Sequence, residues 1–168
     1  MTAKATMDYL TEQDFDTVAR LGGEIWRRHF LGMITAEQIE YMLASRYVPE
    51  KLSLYLHAPD RWFRLLRMDG EPSGYFSYAL AKRPGEMKLE QLYLLERLRG
   101  QGWGGKMMDE AERAARALGC DTLMLTVNRH NAAAIAVYQK RGFEVRGEVA
   151  ADIGNGFVMD DFVMQLAL

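Results

Sequence analysis

Four glycines stand within six residues, Gly100-Gln101-Gly102-Trp103-Gly104-Gly105, where an apolar run ends and a helical pattern begins. Glycine strips side chains from a helix start, where unsatisfied N–H groups and the positive end of the helix dipole point outward. Such a place binds anions, and a diphosphate suits it. A tight turn would also use glycine, which takes positive φ without strain; the number and position of these glycines favour the ligand. The same residues spell the dinucleotide fingerprint G-x-G-x-x-G. That reading requires an acid at the end of the next strand and further strand-helix units beyond it. The next strand pattern ends instead at Val127-Asn128, with only about forty residues left. Two proton-transfer groups lie on either side of the loop: Glu90 in an apolar strand pattern and the Tyr138 phenol, a proton donor at neutral pH.

Composition narrows what these groups serve. The chain of 168 residues carries 21 Lys and Arg against 23 Asp and Glu, a formal charge of −2. No basic stripe exists to hold a phosphate backbone, which argues against nucleic acid as a partner. The single cysteine, Cys120, cannot form an internal disulfide, and no Cys or His cluster has zinc spacing, so the chemistry should need no metal. The first ten residues lack the apolar stretch of a signal peptide, and no run approaches the ~20 apolar residues of a membrane span. A cytoplasmic protein with no membrane partner is expected. Eleven methionines fit as flexible core filling.

The elements that must position the loop, the phenol and the carboxylate follow from periodicity. The spacing predicts a helix over 11–31, started by Thr11 and Asp14 and open to interruption at Gly22-Gly23. A second helix begins at Thr35, with Pro49 as its stop. Runs at 62–68 and 74–81 flank Asp69-Gly70, a strong hairpin signal. A strand over 87–95 follows, then a helix over 104–118 ended by Gly119. The apolar run 123–127 reads as a strand covered on both faces. Asn131 caps a helix over 132–141, and two strands, 143–149 and 157–167, surround Gly154-Asn155-Gly156. No linker or repeat divides the chain, so residues 1–168 are expected to form one α/β domain with a single strand-helix-strand crossover.

Two blocks then resemble a known family. Arg99-Gly100-Gln101-Gly102-Trp103-Gly104 matches the Arg/Gln-x-x-Gly-x-Gly/Ala pattern of the GNAT acetyltransferases, and Asn131, an alanine-rich helix, Tyr138 and Arg141-Gly142-Phe143 match their second block. Together they span residues 89–143. The resemblance implies an α/β (α+β) GNAT fold: a mixed, mostly antiparallel twisted sheet of six to seven strands, flanked by about four helices and splayed between the fourth and fifth strands. It implies acetyl-CoA as cosubstrate, with pantetheine between the splayed strands on backbone groups of Leu92, Tyr93 and Leu94. The diphosphate would lie on the loop from Arg99 through Gly100, Gln101, Gly102, Trp103, Gly104 and Gly105. Asn131 would touch pantetheine or adenine, a role compatible with capping its helix. The segments 26–30, 88–95 and 160–164 are similar to bacterial spermidine/spermine N-acetyltransferases.

Aminolysis of a thioester needs a neutral amine, a stabilised oxyanion and a protonated leaving group. From the resemblance, Tyr138 is the general acid, Glu90 the base acting through water, and an N–H near Leu94 the oxyanion donor. The competing readings are a core tyrosine and a solvent-facing strand carboxylate. Trp26, Phe30 and Tyr41, from the helical pair expected over the acceptor cleft, are the candidate substrate contacts. Asp152, Asp160 and Asp161 could add charge for a polycation. The leading expectation is therefore N-acetylation of a small primary amine, a polyamine being the best single choice, by a protein whose default assembly is a homodimer. The alternatives are acetylation of a protein N-terminus or lysine, and a non-catalytic acyl-CoA- or nucleotide-binding module.

Overall fold

The computed structural model describes residues 3–168. These form one seven-stranded sheet in the order β1-β2-β3-β4-β5-β7-β6. Strands β2 (Arg61–Met68) and β3 (Glu71–Leu80) make the expected hairpin. Asp69 and Gly70 both take positive φ, 51° and 84°, as a tight two-residue turn between twisted strands demands. β4 (Glu86–Leu94) runs antiparallel to β3, and β5 (Thr122–Asn128) runs parallel to β4 after the crossover helix α4 (Trp103–Ala117). β6 (Glu144–Gly154) and β7 (Phe157–Ala167) close the sheet as a long antiparallel pair.

Three details depart from the sequence reading. A short strand, β1 (Ala5–Tyr9), pairs with β2 along the sheet edge. Its half-exposed residues carry little apolar signal of their own, and the partner strand defines it. Pro49 opens a four-residue helix, α3 (Pro49–Leu52), instead of merely ending the one before. Proline suits a first helical turn because its missing N–H has no partner there anyway. Gly22 and Gly23 lie inside an unbroken helix α1 (Phe15–His29). At Gly22 a Cβ would meet the Tyr47 ring at 2.6 Å and the Tyr75 hydroxyl at 3.1 Å, so the residue is small because these two tyrosines press close.

Helix α2 (Ala36–Arg46) starts on Thr35, whose hydroxyl accepts from the Gln38 N–H, and α5 (Ala132–Lys140) starts on Asn131, which accepts from Ala134. Helix α1 packs on β3 and β4, and α4 packs on β4 and β5. Trp26 of α1 is fully buried, with its ring centroid 5.6 Å from both Tyr47 and Tyr93. These contacts anchor the middle of the sheet, where the strands part.

Parallel pairing between β4 and β5 runs only from Glu86 opposite Thr122 to Leu89 opposite Leu125. Both strands continue past that point without pairing to each other, β4 staying on β3 and β5 on β7. The register of β4 on β3 also shifts there: Tyr78 faces Leu89 and Ser77 faces Gln91, so Glu90 has no partner on β3. An extra residue of this kind bends its strand and increases the local twist. The bulge at Glu90 thus accounts for the splay, because it turns the rest of β4 away from β5.

Candidate active site

The glycine loop sits at the start of α4 without any side-chain cap. Gly100 and Gly102 take φ of 77° and 88°, a region that favours glycine. A Cβ at Gly100, Gly102 or Gly104 would meet nothing within 4 Å, so packing does not require these glycines. At Gly104, where φ is ordinary, the missing side chain leaves bare backbone facing open space. The first α4 bond runs from Lys106 N–H to Gly102 C=O (3.1 Å), so the N–H groups of Trp103, Gly104 and Gly105 have no intrahelical acceptor. This cradle fits a diphosphate. Gln101 bonds the Arg97 carbonyl at 3.2 Å, and Trp103 lies under Lys106 with the ammonium 4.2 Å from the ring centroid.

A cavity of about 380 Å³ runs from this loop between β4 and α5, lined by Gly102, Gly104, Leu92, Leu94 and Tyr138. A smaller one of about 100 Å³ occupies the splay itself and is lined by residues of both strands, again with Tyr138. The Leu95 N–H bonds the Ser73 carbonyl at 3.0 Å, and the register is regular from Leu94 back to Leu92. Backbone direction alternates along an antiparallel strand, so Leu92 and Leu94 turn their N–H and C=O groups toward the gap and Tyr93 turns its own toward β3. The Tyr93 ring instead joins Trp26 and Tyr75 in the core.

Tyr138 lines both cavities, with Leu92, Tyr93, Asn131 and Ala134, and of these five only it and Tyr93, whose ring is packed in the core, have a side chain able to donate a proton to a leaving group. Its ring packs on Phe143 at 5.6 Å between centroids. Burial alone pushes the phenol up to about 12. Glu90 accepts from the Tyr55 hydroxyl at 2.8 Å and from Ser77 at 3.3 Å, both at Oε1, which leaves Oε2 open among the described residues. Glu90 lines both the splay and a third cavity of about 320 Å³ that also contains Arg46, Lys51 and Lys88. The bulge sets Glu90 and Gln91 on the same Ser77 hydroxyl, since Gln91 donates to it at 2.9 Å.

Sequence reasoning missed His29, at the end of α1. Its Nδ1 lies 3.0 Å from an Arg99 guanidinium nitrogen and its Nε2 lies 3.1 Å from the Asn131 amide nitrogen. Both neighbours are donors, and Asn131 Oδ1 is committed to Ala134. A neutral imidazole has one acceptor nitrogen, so it can satisfy only one of the two. Burial first, and then the Arg99 charge, lower its pKa and keep it neutral. Arg141 was also overlooked in this role: it ties the end of α5 to Asp109 (2.8 Å) and Glu112 on α4. No sequence signal marks either contact, because the partners lie far apart in the chain.

The expected acceptor residues divide. Phe30 lines the splay cavity. Trp26 does not, because it is fully enclosed behind Phe30 and Tyr93; its part is to back the wall. Tyr41 donates to the Ile153 carbonyl at 3.0 Å and packs on Phe157, bracing α2 against the β6–β7 turn. Of the three tail aspartates, Asp152 bonds the Gly154 N–H and Asp160 pairs with Arg129. Only Asp161 lines the splay, with Oδ1 buried and unpartnered among the described residues. Among the described residues no three His, Cys, Asp or Glu side chains gather as a metal set, and no helix is long and apolar enough to cross a membrane.

The acetyltransferase (GNAT) family model matches residues 23–143. The chain belongs to this family. Among GNAT relatives, the spermidine N(1)-acetyltransferase of Thermoplasma acidophilum is 24% identical over 155 residues, covering 90% of this chain and 92% of that one. An IAA acetyltransferase of Azospirillum brasilense is 29% identical over 115 residues, 66% of this chain and 75% of that one. The PaiA N-acetyltransferase of Thermoplasma acidophilum, solved in complex with coenzyme A, superposes with a TM-score of 0.82 at 23% identity, covering 98% and 99% of the two chains. That likeness shows a shared GNAT fold.

Proposed function

We propose that this GNAT protein, acting as one domain, transfers an acetyl group from acetyl-CoA to the primary amine of a small molecule by direct attack. The observation that carries the reading is the position of Tyr138: a protonated phenol on the wall shared by the glycine-loop cavity and the splay. Acetyl-CoA supplies the activated acyl carbon and the sulfur leaving group. The bare N–H groups at Trp103, Gly104 and Gly105 hold the diphosphate, and Arg99 adds its charge. An anionic acceptor for Arg99 also relieves His29, which is then free to accept from Asn131. The gap-facing backbone of Leu92 and Leu94 hydrogen-bonds the pantetheine arm, and the Leu94 N–H polarises the carbonyl.

Glu90 takes the proton that the acceptor ammonium must lose, directly or through water, at its open Oε2. Tyr138 gives its proton to the departing sulfur. Holding both reactants in adjoining cavities supplies orientation. A polyamine acceptor has the Thermoplasma acidophilum spermidine acetyltransferase in its favour, as a relative along nine-tenths of the chain. Thiol release from acetyl-CoA, assayed against a panel of primary amines, tests the reading. Amine-dependent release is expected; acetyl-CoA binding with no release for any amine would reject it.

A further inference from the structure

The cleft on the far side of Glu90 has a marked charge pattern. The outer cavity contains four cations, Arg46, Lys51, Arg61 and Lys88, against one carboxylate, Glu90. Arg61 is paired with Asp60 at 3.4 Å. Arg46, Lys51 and Lys88 have no ion pair among the described residues, although they come from α2, α3 and β4. Arg46 is held in place by stacking, with its guanidinium carbon 5.4 Å from the Trp26 ring centroid. Three unpaired cations converging from separate elements on one cleft form an anion site, and a polycation would be repelled from it.

The inner end adds a second carboxylate, Asp161, to Arg46 and Glu90, and burial outweighs the nearby Arg46 and Lys88 charges in raising its pKa. Asp161 is 9% exposed, and its Oδ1 has no partner in a cavity it shares with Tyr138 and Glu90. A buried carboxylate oxygen without a donor is costly unless a ligand supplies one. An ammonium group does so. The two cavities share Arg46, Glu90, Gln91 and Thr126, so they adjoin. The path from the reacting phenol outward therefore runs from Asp161, past Arg46 and Glu90 at the shared boundary, to Lys51 and Lys88, which line only the outer cavity.

We propose that the acceptor is a small zwitterionic amine, an amino carboxylic acid, whose ammonium enters between Glu90 and Asp161 while its carboxylate rests on Arg46, Lys51 and Lys88. This deepens the transfer reading above and rests on it. In the step, the acceptor ammonium loses one proton to Glu90 and its nitrogen forms the new bond to the acyl carbon. The carbon–sulfur bond breaks, the sulfur takes a proton from Tyr138, and the second nitrogen proton leaves to restore the phenol. The products are an N-acetylated amino acid, the CoA thiol and one proton released to solvent. An outer cleft of about 320 Å³ accommodates a molecule of that size.

The test compares kcat/KM for free amino acids, the matching carboxamides, spermidine and short peptides with blocked carboxyl ends, at one ionic strength. An amino acid is expected to exceed its own carboxamide by about tenfold or more. The Lys51→Met/Lys88→Met double variant, which leaves only Arg46 for the carboxylate, should reduce that ratio severalfold, while its acetyl-CoA affinity by calorimetry stays unchanged and so reports an intact fold. Lys88→Glu should raise spermidine turnover relative to wild type. Preference for spermidine, a carboxamide or a blocked peptide overturns the proposal while leaving acetyl transfer standing, as does a ratio that survives the double variant. Absence of thiol release with every amine overturns the transfer reading itself.

Discussion

The two sides of the splay are built from different materials. The glycine-loop side offers backbone: N–H groups at the start of α4, and the gap-facing N–H and C=O groups of Leu92 and Leu94. The side proposed for the acceptor offers side chains from many elements, with Arg46 from α2, Lys51 from α3, Glu90 and Lys88 from β4, and Asp161 from β7. Backbone recognition suits a ligand that never changes, since any sequence that keeps the loop conformation preserves it. Side-chain recognition can be altered residue by residue without disturbing the fold, which is where members of one family can diverge in what they acetylate.

The comparison can be broken or sharpened in four ways. Trp26→Ala removes the wall behind both sides, and losing a fully buried indole should cost about 3–5 kcal/mol of stability. Chemical denaturation measures this, and acetyl-CoA binding should weaken along with amine turnover because the wall is common. Tyr138→Phe touches only the shared chemistry: turnover should fall on the order of 10²-fold while acetyl-CoA affinity holds. Equal turnover in the two proteins would remove the phenol from the mechanism.

Gly104→Val should separate the sides. Its Cβ would project into open space where the diphosphate is expected, so acetyl-CoA affinity should drop about tenfold or more by calorimetry. Binding of the amine alone should be unaffected, and the melting temperature should change little. The smallest effect concerns pH. The Tyr138 phenol is raised from 10.0 to about 12 by burial, so kcat/KM should climb as the acceptor ammonium loses its proton, with no descending limb below pH ~10. The folded state binds that proton more tightly than the unfolded one. Its stabilising contribution is therefore complete below pH ~10 and fades as pH rises toward about 12.

The local geometry of the loop and turns was legible in the sequence. The glycine loop, the Asn131 cap and the Asp69-Gly70 turn each depend on residues adjacent in sequence, whose conformational preferences act locally. The strand pattern 87–95 and helix pattern 104–118 correspond closely to β4 and α4, because each presents a buried face with its own period. Trp26 shows the limit. Its helical spacing said that it was apolar and inward, but not whether it faced a ligand or the core.

Consecutive residues thus determined the anion cradle, the capped helices and the order of elements, since backbone geometry and local hydrogen bonding reach only a few positions. The tertiary structure alone decided that His29 meets Arg99 and Asn131, and that Asp161 comes to the same gap as Glu90. It also decided that Arg46, Lys51 and Lys88 gather at the outer cleft. Those outcomes depend on strand register, on the bulge at Glu90 and on which helix crosses which strand. Such choices are made by burial summed over the whole core, and no single stretch of chain encodes them.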